Sequence, residues 1–456
     1  MIVVFAILIF LVKVLAGFAL AHLIWDSTEA NEAKALLLKF FLGVGLGTGL
    51  SSLLYFLWFW CRFPPVVYPY VELVAIVLLP VLLVWRSPKP IAKINIAFTR
   101  ADLAWGGLIF LAVALCVIQF LIRSAQIPHG MQDAWGIWNV SARFIYGAGG
   151  RWLSIIPQSA WFHSDYPLLV SLNIADTWSL VASSTTRVPI IFGLVYLLGL
   201  IGLLGSSLAF AKDNQQGALG AIVFASVPVV ASLTANQYAD VQLSYFFLAS
   251  GMLFYSYTFT HQPRLLILAG LFVGLAGWTK NEGLAFIVIA AALCAFLSLR
   301  EKKNLLTYFL VGLALPLLVI LLFKSITPPN DLFVDKAASF RQLFDLSRYL
   351  TILTRSTQTL FSFGNWPVSL FVIFLAYFLL NFARLQSTGK LWILPVLCLA
   401  QFASYFFIYL FTPADILVHI NSSIERLFFH LFPLTLCFAL ILLPSPRYWM
   451  SHATDH

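Results

Sequence analysis

Charge is what this chain has least of. Only 10% of its 456 residues are Asp, Glu, Lys or Arg, while 61% are hydrophobic. A soluble domain carries about 25% charged and roughly 45–50% apolar residues. That deficit excludes an ordinary water-soluble enzyme, and no segment is long and polar enough to form a separate soluble domain. Cysteine is sparse too. Cys61, Cys116, Cys294, Cys398 and Cys437 lie in or at the edges of apolar runs without CxxC spacing, so they read as packing residues rather than a disulfide framework or a zinc module. GxSxG, HExxH and Walker motifs are absent. The net charge of +9 is scattered over loops without a basic cluster or RNA-binding motif, so no nucleic acid is expected. Anionic lipid headgroups and phosphate-bearing lipids are the natural partners. The N-terminal run MIVVFAILIFLVKVLAGFALAHLIW has neither a basic leader nor a small-residue cleavage site and reads as a retained helix.

Apolar length is what the chain has in abundance. Runs of about 20 residues, enough to cross a hydrocarbon core of about 30 Å, recur from end to end. They predict an all-α, polytopic transmembrane bundle of about thirteen spans: 1–24, 36–60, 68–85, 103–122, 188–210, 217–234, 241–259, 264–279, 283–299, 305–323, 367–383, 391–411 and 425–444. The stretch 166–185 is interrupted by Asn173, Asp176 and Trp178 and is expected to lie in the interface as an amphipathic helix. Basic short loops at 86–100, 299–304 and 384–390 should be cytoplasmic. Segments 123–187 and 324–366 then form large outer loops, and the N-terminus falls on the outer side. The chain divides into 1–100, accessory helices, and 101–456, a core that begins just before the first outer loop.

Four polar sites, and a fifth stretch near the C-terminus, fall on that outer side. In QDAWGIWNVSARFIYGAGGRW, Asp133 is accompanied by Trp135, Trp138, Asn139 and Arg143. Tryptophans at an interface are often belt anchors, but an acid at this depth is costly without a task. HSDYP places His163 and Asp165 in a turn-favouring sequence. In NQYADVQLSYF, Asp240 opens a span, where capping is the simple explanation and acid–base or metal chemistry the alternative. GWTKNEG sets Lys280 and Glu282 in a tight polar turn; the lysine either snorkels or binds a phosphate. HINSSIERLFFHLFPL adds His419, Glu425, Arg426 and His430, with Arg426 either paired to Glu425 or available for bidentate phosphate recognition.

The order of these pieces resembles the GT-C superfamily of integral membrane glycosyltransferases, especially the bacterial protein-mannosyltransferase and aminoarabinose-transferase branch. LIRSAQIPHGMQDAW matches the family's helix leading into an outer loop with an early catalytic Asp, at Asp133. HSDYPLLVSL and TTRVPIIFG match its juxtamembrane segment and Arg-x-Pro-like entry, at Arg187. YADVQLSYFFLA matches the acid that opens a later span, LAGLFVGLAGWTKNEG the Thr-Lys turn, and ERLFFHLFPL the late Arg-to-Pro span. Asn281–Glu282–Gly283 stands where Gly-Pro is usual, and three helices precede the usual start of the pattern. Over 101–444 the resemblance implies a GT-C-like loop of juxtamembrane helices and an enzyme of the outer, periplasmic face of the bacterial inner membrane. The reaction implied is transfer, with inversion, of a sugar from a polyprenyl-phosphate donor to a hydroxyl or amine of a glycan, lipid or protein. Asp133 would be the general base, with Asp240 positioning acceptor or metal. Lys280, Arg426 and Arg187 would hold the donor phosphate. Trp135, Trp138, Arg143, His163, Asp165, Glu282 and His419 would contact substrate. No cofactor is indicated beyond an optional divalent metal. A transporter or lipid flippase, or an assembly subunit docking a partner on the Trp-rich loop, is the alternative from a different class.

Overall fold

The computed structural model describes residues 1–26, 32–86, 100–155, 163–329, 340–382 and 390–446, and it is all-helical over them. The first group of helices is α1 (Ile2–Ile24), α2 (Glu32–Trp60), α3 (Tyr68–Arg86), α4 (Arg100–Gln126), α5 (Asn139–Ala148), α6 (Trp152–Ile155), α7 (Leu169–Val181), α8 (Arg187–Ala211) and α9 (Asn214–Ala225). The rest are α10 (Pro228–Ala235), α11 (Asp240–Thr260), α12 (Arg264–Thr279), α13 (Glu282–Glu301), α14 (Leu305–Lys324), α15 (Leu346–Ser362), α16 (Leu370–Leu380), α17 (Ile393–Phe411) and α18 (Ile416–Leu442). In hydrocarbon every backbone polar group must find a partner within its own segment, and a helix satisfies that for any long apolar run.

Among the described residues nine helices are long and apolar enough to cross a membrane, or eleven if each of two bent pairs is one span. Length and apolar composition thus identify up to eleven of the thirteen expected spans, and α11 and α12 are the two they leave out. The first carries Asp240, Gln242, Ser244, Ser250 and Ser256 and is buried along nearly its whole length in protein, not lipid. The second has only 16 residues, about 24 Å of helix. The α9–α10 pair bends by 61° at Ser226–Val227, because Pro228 has no N–H to continue the ladder and Val227 before it is extended. Segment 367–383 is likewise one arm, α16, of a pair bent by 93°.

The interface helix expected at 166–185 takes a different place. Every residue of α7 from Leu169 to Trp178 is buried, and the helix packs against α1, α2, α5 and α8. Its polar residues point into protein. The long outer loop therefore folds back into the bundle.

Contacts at the helix ends define two faces. Trp25 meets Phe210 edge-on at 5.3 Å, Arg264 pairs with Asp26, and Glu301 pairs with Lys390 and accepts from Tyr257. The ends of α1, α8, α11 and α13 thus share one face with the start of α12. The starts of α11 and α13 and the ends of α12 and α14 share the other. Of the three basic loops, residues 299–304 and Lys390 lie on the first face, while 87–99 and 384–389 fall outside the described residues.

Glycine lets α1 and α2 touch along their backbones. A Cβ on Gly47 would land on the Lys13 carbonyl, and one on Gly17 on the Gly43 carbonyl. Such small-residue contacts drive association where lipid competes with ordinary apolar packing. Gly47→Leu should cost about 1–3 kcal/mol through overpacking and lower the unfolding midpoint in detergent. Gly106→Leu, where nothing lies within 4 Å of the new Cβ, should leave that midpoint unchanged.

Candidate functional site

The first outer loop is pinned before it reaches Asp133. The Met131 amide donates to the Asn236 carbonyl at 3.1 Å. The Asn139 amide donates to Gln237 Oε1 at 2.8 Å, and Gln237 Nε2 to the Pro128 carbonyl at 3.1 Å. Gly130 makes the turn at φ +76°, where a Cβ would lie 2.6 Å from the Asn236 oxygen. Asp133 then precedes a single π-helical turn, Ala134–Trp138, a feature that recurs at functional sites.

Sequence-distant charges converge beside it. Arg426, in the third turn of α18, donates from Nη2 to Asp133 Oδ2 at 2.7 Å and from Nε to Asp240 Oδ2 at 2.9 Å. The Lys280 ammonium, at the end of α12, donates to Asp240 Oδ1 at 3.0 Å and pairs with Glu282 Oε1 at 2.7 Å. His430 Nε2 lies 2.6 Å from Asp240 Oδ1, with its Nδ1 3.0 Å from the Tyr405 hydroxyl. The Arg426 guanidinium also covers the Tyr238 ring at 4.5 Å. Gly283 makes the turn between α12 and α13 possible, since a Cβ there would strike the Ala276 carbonyl.

A second polar group adjoins the first through that turn. Asn281 Nδ2 donates to Asp165 Oδ2 at 2.7 Å, and the Lys324 ammonium donates to the Asp165 carbonyl at 2.6 Å and to Asn281 Oδ1 at 2.8 Å. The HSDYP turn is clamped by rings. Tyr166 stacks on Trp138 at 5.5 Å and on His163 at 4.6 Å, nearly parallel in both cases.

Burial sorts the roles these groups can play. Asp240 is fully buried, whereas the Asp133 side chain is 25% exposed and Arg426 15%. Asp240 therefore acts through its partners and has no surface for holding an acceptor or a metal. It does not cap α11 either, because both its oxygens go to side chains of other helices. Burial alone would lower the Lys280 pKa; the carboxylates of Asp240 and Glu282 outweigh it and hold the ammonium above its ordinary value.

The remaining candidates separate. Trp138 is 1% exposed and stacked, which leaves no ring face for a sugar, while Trp135 is 59% exposed. Arg143 lies over the Trp178 ring at 5.6 Å. With His129 and Trp135 these two wall a cavity of about 80 Å³, well below the roughly 300–1,000 Å³ of typical ligand pockets. Arg187 is exposed at the start of α8 and makes no ion pair among the described residues. His419 is tied to Thr412 Oγ1 at 2.9 Å and set edge-on to Tyr409. Glu425 takes no part in the Arg426 pairing. His430, Asn281 and Lys324 also belong to the site; the sequence brings out His430 and Asn281 only as neighbours of Arg426 and Lys280, without a role, and does not bring out Lys324. His430 is detectable from its i+4 spacing after Arg426. No group of three or more His, Cys, Asp or Glu side chains is arranged to hold a metal among the described residues, and Asp240 is occupied by cationic and imidazole donors. The residues do not fit a divalent metal.

No family model, no curated protein and no solved structure matches this chain.

The cluster makes a stability prediction of its own. Removing one partner of a buried ion pair leaves an uncompensated charge, at a cost of about 3–5 kcal/mol. Arg426→Ala should be destabilising by this order in detergent unfolding. Adding Asp240→Asn should recover part of the loss; strict additivity of the two substitutions would contradict the coupling.

Proposed function

We propose that the chain is a membrane glycosyltransferase that moves a sugar from a polyprenyl-phosphate donor to an acceptor hydroxyl or amine, with inversion. The observation that carries this reading is the joining of Asp133, Arg426, Asp240, Lys280 and Glu282 into one continuous ion-pair network. Asp133 is its accessible acid, and Arg426 and Lys280 are its cations.

In this mechanism the donor phosphate enters beside Arg426 and Lys280. It competes with Asp133 for the guanidinium and frees a carboxylate oxygen for the acceptor. Asp133 takes the acceptor proton as the acceptor oxygen or nitrogen bonds to the anomeric carbon. The bond from that carbon to the phosphate oxygen breaks on the opposite face of the sugar, which inverts the centre. Polyprenyl phosphate departs with one more negative charge than it carried in the donor. Lys280 and Arg426, held by Asp240, stabilise that growing charge where little water competes. Trp135 offers an open ring to the sugar.

A lipid donor also suits the surface. A groove of about 310 Å³ lies beside α4, with Leu115, Ile118 and Ile122 along it and Gln119, Arg123 and Ser232 at its polar positions. The helix that carries it leads straight into the Asp133 loop. We place the active face on the outer, periplasmic side of a bacterial inner membrane, following the basic-loop asymmetry and the resemblance of the motifs.

A transporter or lipid flippase is the second reading. One observation favours it: Lys13, Glu72 and Asp176 form a buried ion cluster whose lysine stands midway along α1, and transporters place charge near the midplane.

Release of polyprenyl phosphate from labelled polyprenyl-phosphate sugars by the purified protein separates the two. Wild type should turn over. Asp133→Asn should lose about 10²–10⁴-fold in rate while its unfolding midpoint stays near wild type. Near-wild-type turnover by Asp133→Asn would remove Asp133 as the base. Donor movement across a bilayer without cleavage would replace transfer with transport.

A further inference from the structure

The accessory helices carry a second ionic centre that the proposed chemistry does not use. Lys13 is fully buried midway along α1, and its ammonium reaches Asp176 Oδ2 of α7 at 2.5 Å and Glu72 Oε1 of α3 at 3.2 Å. The Ser51 hydroxyl of α2 donates to the same Glu72 oxygen. The Glu72 and Asp176 carboxyls thus meet on one ammonium. Around them stand neutral groups of α2, α3, α7 and α8, while Arg143 and Tyr146 of α5 face Trp178, further along α7. The neutral groups are Tyr55 and Thr48 on α2, Tyr68 on α3, Asn173 on α7, and Tyr196 on α8, which bonds Thr48. Lys13 is the only cation within ion-pair distance of either acid among the described residues.

Two imbalances follow. The centre has two acids and one base, so with every group ionised it holds a net negative charge away from water, which a low-dielectric surrounding opposes. It also has more acceptors than donors. Asp176 Oδ1 and Asn173 Oδ1 are both buried and receive no hydrogen bond among the described residues. One added proton corrects both faults, because it neutralises the cluster and turns a carboxyl into a donor.

We infer that Lys13, Glu72 and Asp176 form a proton-binding site inside the bundle, which holds one proton between the two carboxyls. The ligand is a proton, and the inference does not depend on the glycosyltransferase reading. Occupancy also bears on the outer loop. The first residue of α7, Leu169, follows Asp165 and Tyr166 closely in sequence, and α7 is seated on α1 and α2. Loss of the proton puts net charge into that seat and loosens α7 with the turn before it.

Infrared spectroscopy of the protein in nanodiscs tests the site. Wild type at neutral pH should show the carbonyl stretch of a protonated carboxylic acid, moved by deuteration and by ¹³C labelling of Asp or Glu carboxyls. The band should disappear in Glu72→Gln and in Asp176→Asn, each of which leaves one acid matched to Lys13. Lys13→Met should enlarge it. The labelling arm needs no substitution, so it stands even where a variant fails to fold. Absence of any such band from wild type at neutral pH overturns the site. Hydrogen–deuterium exchange over 163–181 should rise in the alkaline range where the band is lost; exchange independent of the band overturns the link to the loop.

Discussion

Asp240 has no contact with water, and three helices meet on its carboxylate. It opens α11, takes Lys280 from the end of α12, and takes Arg426 and His430 from successive turns of α18. A buried carboxylate is tolerated only when its lone pairs are filled by charged or strongly polar donors. The demand for partners therefore fixes how α11, α12 and α18 approach one another at this face. Arg426 passes the constraint on, since its second arm holds Asp133 and with it the loop between α4 and α8. The Asn139–Gln237 and Met131–Asn236 bonds fasten the same loop from its other side.

The result divides labour between two acids of the same type. Asp240 is spent on orienting cations, while Asp133 keeps an edge toward solvent. Glu282 and Asp240 share Lys280, so three acids face two permanent cations plus an imidazole. In the proposed reaction a phosphate would meet cations already aimed and shielded from water, which is the preorganisation that electrostatic catalysis requires. The cavity beside Trp135 is small, so the proposed substrates would enter at the exposed edge of the cluster instead of in a deep pocket.

Much of this site was readable from sequence for one physical reason: charge in so apolar a chain is costly, and Asp133, Asp240, Lys280, Glu282 and Arg426 each stand at a junction between apolar runs. What the sequence could not convey was pairing. Arg426 is as readily matched to its neighbour Glu425 as to acids 186 and 293 positions away. His430 stands out only as a polar neighbour of Arg426, and Lys324 as the end of an apolar helix, until the fold brings Asp240 and Asp165 to them. The error over α7 has the same origin. Asn173, Asp176 and Trp178 resemble a water-facing stripe, yet their partners are Thr48, Lys13 and the Thr185 carbonyl. Lys13 is a single cation in a long apolar run, and nothing local to it announces Glu72 or Asp176. The polar side chains of α11 have a related origin, because a helix packed among other helices can carry them where a lipid-facing one could not.

In the proposed function the Asp240-centred cations recognise a lipid-borne phosphate. Equilibrium binding of polyprenyl phosphate, set against the uncharged polyprenol of the same length, tests it most directly. The phosphate should bind saturably and the alcohol weakly, and Lys280→Met should lose that preference. Equal affinity for the two lipids, or a preference untouched by Lys280→Met, would contradict it.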